Sequence, residues 1–379
     1  MKRNIILYFP LFLLIIGCSN QSWSDQFNNR GIKNGDIKLL ENKSSFTFNS
    51  SILPNKPILC PITIKGIEAN FLLDTGISNG IYISESFSKK AGIDNILYTT
   101  SSFMGDTKMA GPVQVVIGPF SIRQSEIGIV KDNTFSTEFE GMFGFSVLKY
   151  FTLKINPDSQ TVTFSIASEK SNASLNLLPR KDGKIRTKVS INNSEFIAVL
   201  DTGNSGANYI SSKFDLNEYL NDYPNKVILS KPGSKLSNWS GTLSDFYGLA
   251  KIETKLRNQT LSAELNYFVT SGSYYILDGN AVNLGMEFVS SFITTIDYNN
   301  WTISIEPIKK ENNKIKTYDP IFLDKQGEVI AILNHINVEK ISIGDTCTKI
   351  QIRKNDFTNY QLMKESGHEF DLEIDRIKF

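Results

Sequence analysis

The tripeptide Asp-Thr-Gly occurs twice in this chain of 379 residues, each time at the end of an apolar run. The first run is Phe71-Leu72-Leu73, followed by Asp74, Thr75 and Gly76. The second is Ala198-Val199-Leu200, followed by Asp201, Thr202 and Gly203. The match continues downstream. Tyr-Ile-Ser begins eight residues after each Asp, as Tyr82-Ile83-Ser84 and Tyr209-Ile210-Ser211, and Ser78 and Ser205 stand four residues after each. A lone Asp-Thr-Gly is an ordinary turn after a strand, because Asp and Gly both favour turns. Two copies with the same flanks, 127 residues apart, mark a duplicated unit that brings two carboxylates together.

The repeat is longer than the motif. Each copy opens on a strand-like alternation, Pro61-Ile62-Thr63-Ile64-Lys65-Gly66 in the first and Thr187-Lys188-Val189-Ser190-Ile191-Asn192 in the second. Each closes alike. The first has Gly141-Met142-Phe143-Gly144, Val147-Leu148, then Phe151 to Asn156 and Thr161 to Phe164. The second has Leu284-Gly285, Phe288-Val289, then Phe292 to Asp297 and Trp301 to Ile305. From Asp to closing Gly is 70 residues in one copy and 84 in the other. Short β-branched runs punctuated by Gly, Asn and Asp predict strands and hairpins. A helical period is nearly absent. Short helices of a turn or two are expected over 85–91 and 215–219.

These residues resemble the aspartic proteases, in particular bacterial retropepsin-like proteins with two lobes in one polypeptide. The resemblance covers roughly residues 55 to 308. It implies a mostly β, bilobal aspartic-protease fold (a double acid-protease barrel), with lobes over 51–168 and 183–308. In that family each lobe supplies one Asp-Thr-Gly loop, and a pair of apolar residues followed by Gly packs beneath it. Asp74 and Asp201 are the implied catalytic pair. Thr75, Gly76, Thr202 and Gly203 support it, with the two Thr hydroxyls reaching across to the opposite loop. The implied function is endopeptidase action on a peptide or protein substrate, with no cofactor and no metal, in a monomeric pseudo-dimer. The rival class is a non-catalytic, membrane-tethered peptide-binding protein of the same fold.

The residue types suit that chemistry. Peptide hydrolysis needs one carboxylate ionised, to take a proton from water, and one protonated, to polarise the carbonyl. Two carboxylates a hydrogen bond apart resist double ionisation and hold one proton between them over a range of pH. Glycine after the Asp-Thr pair lets the backbone turn sharply and approach the partner loop.

Three positions depart from the family pattern. Pepsin-like enzymes usually carry Ser or Thr three residues after the Asp, and retropepsins Ala; here those positions hold Ile77 and Asn204. Asn283 stands where an apolar residue is expected beneath Asp201. Ile77 offers no hydroxyl to its Asp, so the pH optimum is expected to be less acidic than that of pepsin-like enzymes.

The family's flap, a hairpin that closes over substrate, has two candidates. One runs from Phe103-Met104-Gly105 to Ala110-Gly111, the other from Asn238-Trp239-Ser240-Gly241 to Tyr247-Gly248. Glycines flanking apolar residues suit a mobile tip, with Met104, Gly105, Trp239 and Gly241 as its residues. A plain loop with a core aromatic is the other reading of each.

The ends differ from the middle. Residues 1–17 carry Lys2, Arg3 and the apolar run Ile5 to Ile16, a secretory pattern too short to remain as a membrane span. Gly17-Cys18 resembles a bacterial lipobox, which implies lipid on Cys18 and a place in the cell envelope, at the periplasmic face or the outer membrane. An ordinary cleaved signal is the alternative. Residues 18–50 are polar and suit a flexible tether. Residues 317–379 carry strand patterns at Gly327 to Ile332, Thr348 to Ile352 and Phe370 to Ile374, and read either as a small PDZ-like module or as a β extension of the second lobe.

Composition excludes several classes. A net charge of +1 leaves no electrostatic footprint for nucleic acid. Both histidines, His335 and His368, lie near the C-terminus, which argues against a Ser-His-Asp hydrolase or a His-ligated metal in the repeat. Cys60 and Cys347 either pair or stay free.

Overall fold

Strand Leu59–Ile64 shows how the sequence alternation becomes a layer. Cys60, Ile62 and Ile64 point into the core, while Leu59, Pro61 and Thr63 are half-buried. Its partner Ile67–Leu73 follows after two residues, Lys65 and Gly66, both at positive φ (52° and 80°). That is the conformation a tight two-residue hairpin requires, and glycine adopts it freely. The second copy repeats the arrangement with Ile185–Ile191 and Ser194–Leu200. The structure is a computed structural model. It describes residues 37–54, 56–77, 80–102, 104–135, 138–167, 175–178, 183–192, 194–205, 208–211, 214–229, 235–237, 243–256, 261–271 and 281–309, and the strands 321–323, 329–332, 347–353 and 371–376.

The chain is mostly β, with four short α-helices among the described residues. Ten strands of the first half form one sheet and the second half builds an eight-stranded sheet. A third sheet draws on both halves. Its order is Leu175–Asn176, Thr302–Pro307, Phe292–Asp297, Thr152–Asn156, Thr161–Ser165, Ser45–Asn49. At its centre Thr152–Asn156 runs antiparallel to Phe292–Asp297, with Leu153 opposite Ile296. The closing strands of the two copies therefore join the halves by backbone hydrogen bonds.

An aromatic cluster fills the space behind this sheet. Phe164 is fully buried. It meets Phe151 edge-on at 5.2 Å and stacks with Phe48 at 6.0 Å, while Phe120 lies 4.9 Å from Phe151. Aromatic rings bury large apolar areas, and contacts of this kind dominate core energetics.

The expected helices are present as Glu85–Lys90 and Leu216–Asp222. Ser84, the Ser of Tyr-Ile-Ser, caps the first by accepting from the Phe87 N–H at 3.1 Å. Asp215 caps the second through the Glu218 N–H at 2.9 Å. The described C-terminal strands form two separate antiparallel pairs, Ile321–Leu323 with Val329–Ile332 and Cys347–Arg353 with Asp371–Arg376. No helix among the described residues is long and apolar enough to cross a membrane. Cys18 and the signal segment lie outside the described residues.

Candidate active site

The strand before each Asp and the strand after it do not pair with each other. Gly141–Phe143 lies between Ile67–Leu73, to which it is parallel, and Ile81–Ser84, to which it is antiparallel. In the second half Ala281–Leu284 lies in the same way between Ser194–Leu200 and Asn208–Ser211. Each Asp loop must therefore cross over a closing strand, and that strand holds it from below. The Asp74 N–H donates to the Phe143 carbonyl at 3.0 Å, and the Asp201 N–H to the Leu284 carbonyl at 2.9 Å. The closing glycines are needed here. A Cβ on Gly144 would come within 2.6 Å of the Ile77 carbonyl oxygen, and one on Gly285 within 2.6 Å of that of Asn204.

The loops meet through their threonines. The Thr75 hydroxyl donates to the Leu200 carbonyl at 2.8 Å and accepts from the Thr202 N–H at 3.0 Å. Reciprocally, the Thr202 hydroxyl donates to the Leu73 carbonyl at 2.7 Å and accepts from the Thr75 N–H at 3.1 Å. Both threonines are buried, so water does not compete for these groups.

This interlock sets the two carboxylates against each other. Asp74 accepts from the Gly76 N–H at 2.7 Å, and Asp201 from the Gly203 N–H at 3.1 Å. Each carboxylate also rests on the other loop's glycine: a Cβ on Gly76 would stand 2.5 Å from Asp201 Cγ, and one on Gly203 would overlap the Asp74 carboxyl. Asp74 and Asp201 are close enough for their side chains to share a hydrogen bond. Burial first, and then the negative charge of Asp201, push the Asp74 carboxyl well above the usual carboxylate range; the Gly76 N–H and Lys184 oppose this in part.

The floors beneath the two aspartates differ. On the Asp74 side Leu72, Ile77, Tyr82, Val130 and Met142 form an apolar cluster, joined by Met104, Phe135 and Phe139. On the Asp201 side the places of Ile77 and Met142 hold Asn204 and Asn283, both buried. The Asn283 amide donates to Asp201 Oδ2 at 2.8 Å, and its carbonyl accepts from the Asn204 amide at 3.0 Å. Asn283, read from the sequence as a polar side chain in an apolar place, is thus a direct partner of the candidate dyad. Sequence reasoning did not assign it that role. The signal that could have done so was the pairing of its departure with that of Asn204.

A second polar cluster lies behind the first. The buried carboxyl of Glu287 accepts from the Asn266 N–H at 2.9 Å, the Asn266 amide at 2.8 Å and the Asn208 amide at 3.2 Å. Asn208 in turn holds the Gly285 N–H at 2.9 Å. No sequence motif pointed to it.

The first flap candidate is a hairpin, Ile96–Ser102 with Gly105–Ala110, closed by Ser102 opposite Gly105. Met104, at its tip, packs against the cluster beside the Asp74 loop. Trp239 and Gly241 lie outside the described residues. Cys60 is a free, buried thiol, so it does not pair with Cys347.

The chain matches no protein-family model and no curated protein.

Proposed function

We propose that this protein is an aspartic endopeptidase of bilobal aspartic-protease fold, with Asp74 and Asp201 as its catalytic pair. One observation carries the reading: four reciprocal hydrogen bonds between Thr75 and Thr202 and the opposite loops press two buried carboxylates together. A pair of structural turns has no need of such closeness, because apposed buried carboxylates oppose folding unless one is protonated. Asp74, which among the described residues accepts one N–H where Asp201 accepts two donors, carries the shared proton in this reading and polarises the scissile carbonyl of the substrate. Asp201 accepts a proton from water as that water attacks. The proton then passes to the leaving amine, which restores the starting state. The Met104 hairpin lies on the Asp74 side, where it covers a peptide bound across the pair. The site is complete within one chain, so the enzyme works as a monomer.

The test is peptide cleavage by the purified protein and by Asp74→Asn and Asp201→Asn. Both variants should stay folded and lose cleavage. Undiminished cleavage by either variant would remove the aspartic mechanism. A wild-type protein that binds peptides but cleaves none is the non-catalytic binding reading.

Gly17-Cys18 at the end of the apolar segment supports a lipid anchor in the cell envelope. Cys18→Ala should move the protein from the detergent phase to the aqueous phase or block its maturation. Unchanged partitioning would exclude the anchor.

A further inference from the structure

We propose that Asn283 is a positioning residue, which holds Asp201 as the ionised, oriented member of the pair and makes the two halves of the dyad chemically unequal. This inference rests on the peptidase reading above.

In register with the closing glycine, Asn283 stands where the first half has Met142, and in register with the Asp, Asn204 stands where it has Ile77. Met142 and Ile77 belong to one apolar cluster. Their counterparts form a chain of hydrogen bonds that ends on a carboxylate oxygen. Asp201 therefore accepts on both oxygens, Oδ1 from the Gly203 N–H and Oδ2 from Asn283. Among the described residues Asp74 accepts one hydrogen bond from a donor group, from the Gly76 N–H on Oδ1, and Asp201 lies beside it. Two donors on one carboxylate favour its charged form.

The orientation of the Asn283 amide follows from its surroundings. Its Oδ1 faces the NH₂ of Asn204, and its Nδ2 faces the Asp201 carboxylate. Turning the amide over would set oxygen against carboxylate and NH₂ against NH₂, with both hydrogen bonds lost. Asn204 thus locks Asn283 as a donor, and the two departures from the apolar pattern act as one device. Asn204 is itself fixed from behind. Its carbonyl accepts from the Met286 N–H at 2.8 Å, and it lies against Gly285, whose N–H is held by Asn208.

Four titratable groups surround the device. Asp74 faces Asp201 from the opposite loop, and Lys184 acts on Asp74. Tyr209, on the strand paired with Asn283, is pushed above the usual tyrosine range by burial and by the Asp201 charge, and so stands as a neutral phenol. Glu287 lies behind Asn208 with its carboxyl engaged by three N–H groups. Asn283 is a neutral donor with direct contact to Asp201, so its removal changes the pair without adding a charge.

The experiment is the pH profile of peptide cleavage by wild type, Asn283→Leu and Asn204→Leu, together with a ¹³C NMR titration of the Asp carboxyls. Asp201→Asn assigns the Asp201 signal. Loss of a hydrogen bond to a charged group should raise the Asp201 titration, and the acid limb of kcat, by about one to two pH units in Asn283→Leu. KM should change little. Asn204→Leu should give a smaller shift of the same sign, since it frees the amide to turn, and it carries the test if Asn283→Leu does not fold. A merely structural role would lower the melting temperature and scale activity down equally at every pH. An unmoved Asp201 titration and acid limb in a folded, active variant overturns the proposal and leaves the peptidase reading in place. A moved titration in a protein that cleaves no peptide upholds the Asn283 contact and rejects the peptidase reading instead.

Discussion

Thr202→Val tests the interlock on which the site depends. Valine keeps the β-branched shape of threonine and replaces the hydroxyl by a methyl. The hydroxyl makes two of the four bridging hydrogen bonds, to the Leu73 carbonyl at 2.7 Å and from the Thr75 N–H at 3.1 Å. Thr202 is fully buried and Thr75 is 1% exposed, so water cannot replace it. Each orphaned buried group costs about 1–3 kcal/mol, which gives about 2–6 kcal/mol for the pair. That is a large share of the ~5–15 kcal/mol that stabilises a typical domain. Thr202→Ser is the control. It keeps the hydroxyl and loses one methyl, at about 0.8 kcal/mol. The assay is urea unfolding of both variants beside wild type. Thr202→Val should unfold at clearly lower urea than Thr202→Ser, and its cleavage rate should fall about a hundredfold if the carboxylates part by roughly 1 Å. Equal midpoints for the two variants would refute the reasoning, because the hydroxyl would then carry no stabilising contact. Thr75→Val should behave alike, since its hydroxyl makes the other two bonds.

Two further outcomes follow from the same geometry. Gly76→Ala would place a Cβ 2.5 Å from Asp201 Cγ, and Asp201 is held by Gly203 and Asn283 and has nowhere to retreat; cleavage should fall about a hundredfold with the circular dichroism spectrum unchanged, and full activity would mean that the loops do not meet this closely. Burial, and after it the Asp201 charge, raise the Asp74 carboxyl, so its contribution to stability is fully present below the ordinary carboxylate value of about 4 and is lost as pH rises through the raised folded value. Asp74→Asn should remove that decline, and parallel stability–pH curves for wild type and Asp74→Asn would contradict it.

Much of this was legible in the chain. The alternation in Pro61 to Ile64 and Thr187 to Ile191 marks strands because side chains in a strand alternate between core and solvent. The turn at Met104 was readable for a similarly local reason, from its glycine, although the hairpin reaches back to Ile96, before the stretch read from the sequence. The doubled Asp-Thr-Gly marks the two aspartates in the chain itself, since a duplication repeats its flanks as well as its motif. Tertiary structure decided what depends on distant groups. The pairing of Thr152–Asn156 with Phe292–Asp297 joins segments some 140 residues apart, and nothing in either strand names its partner. Asn283 reads as a misplaced polar residue in an apolar floor until Asn204 and Asp201 are seen on either side of it. The same holds for Glu287 with Asn208 and Asn266. Periodicity reports which face of an element is buried, whereas a buried polar group is stabilised by partners that only the folded chain assembles.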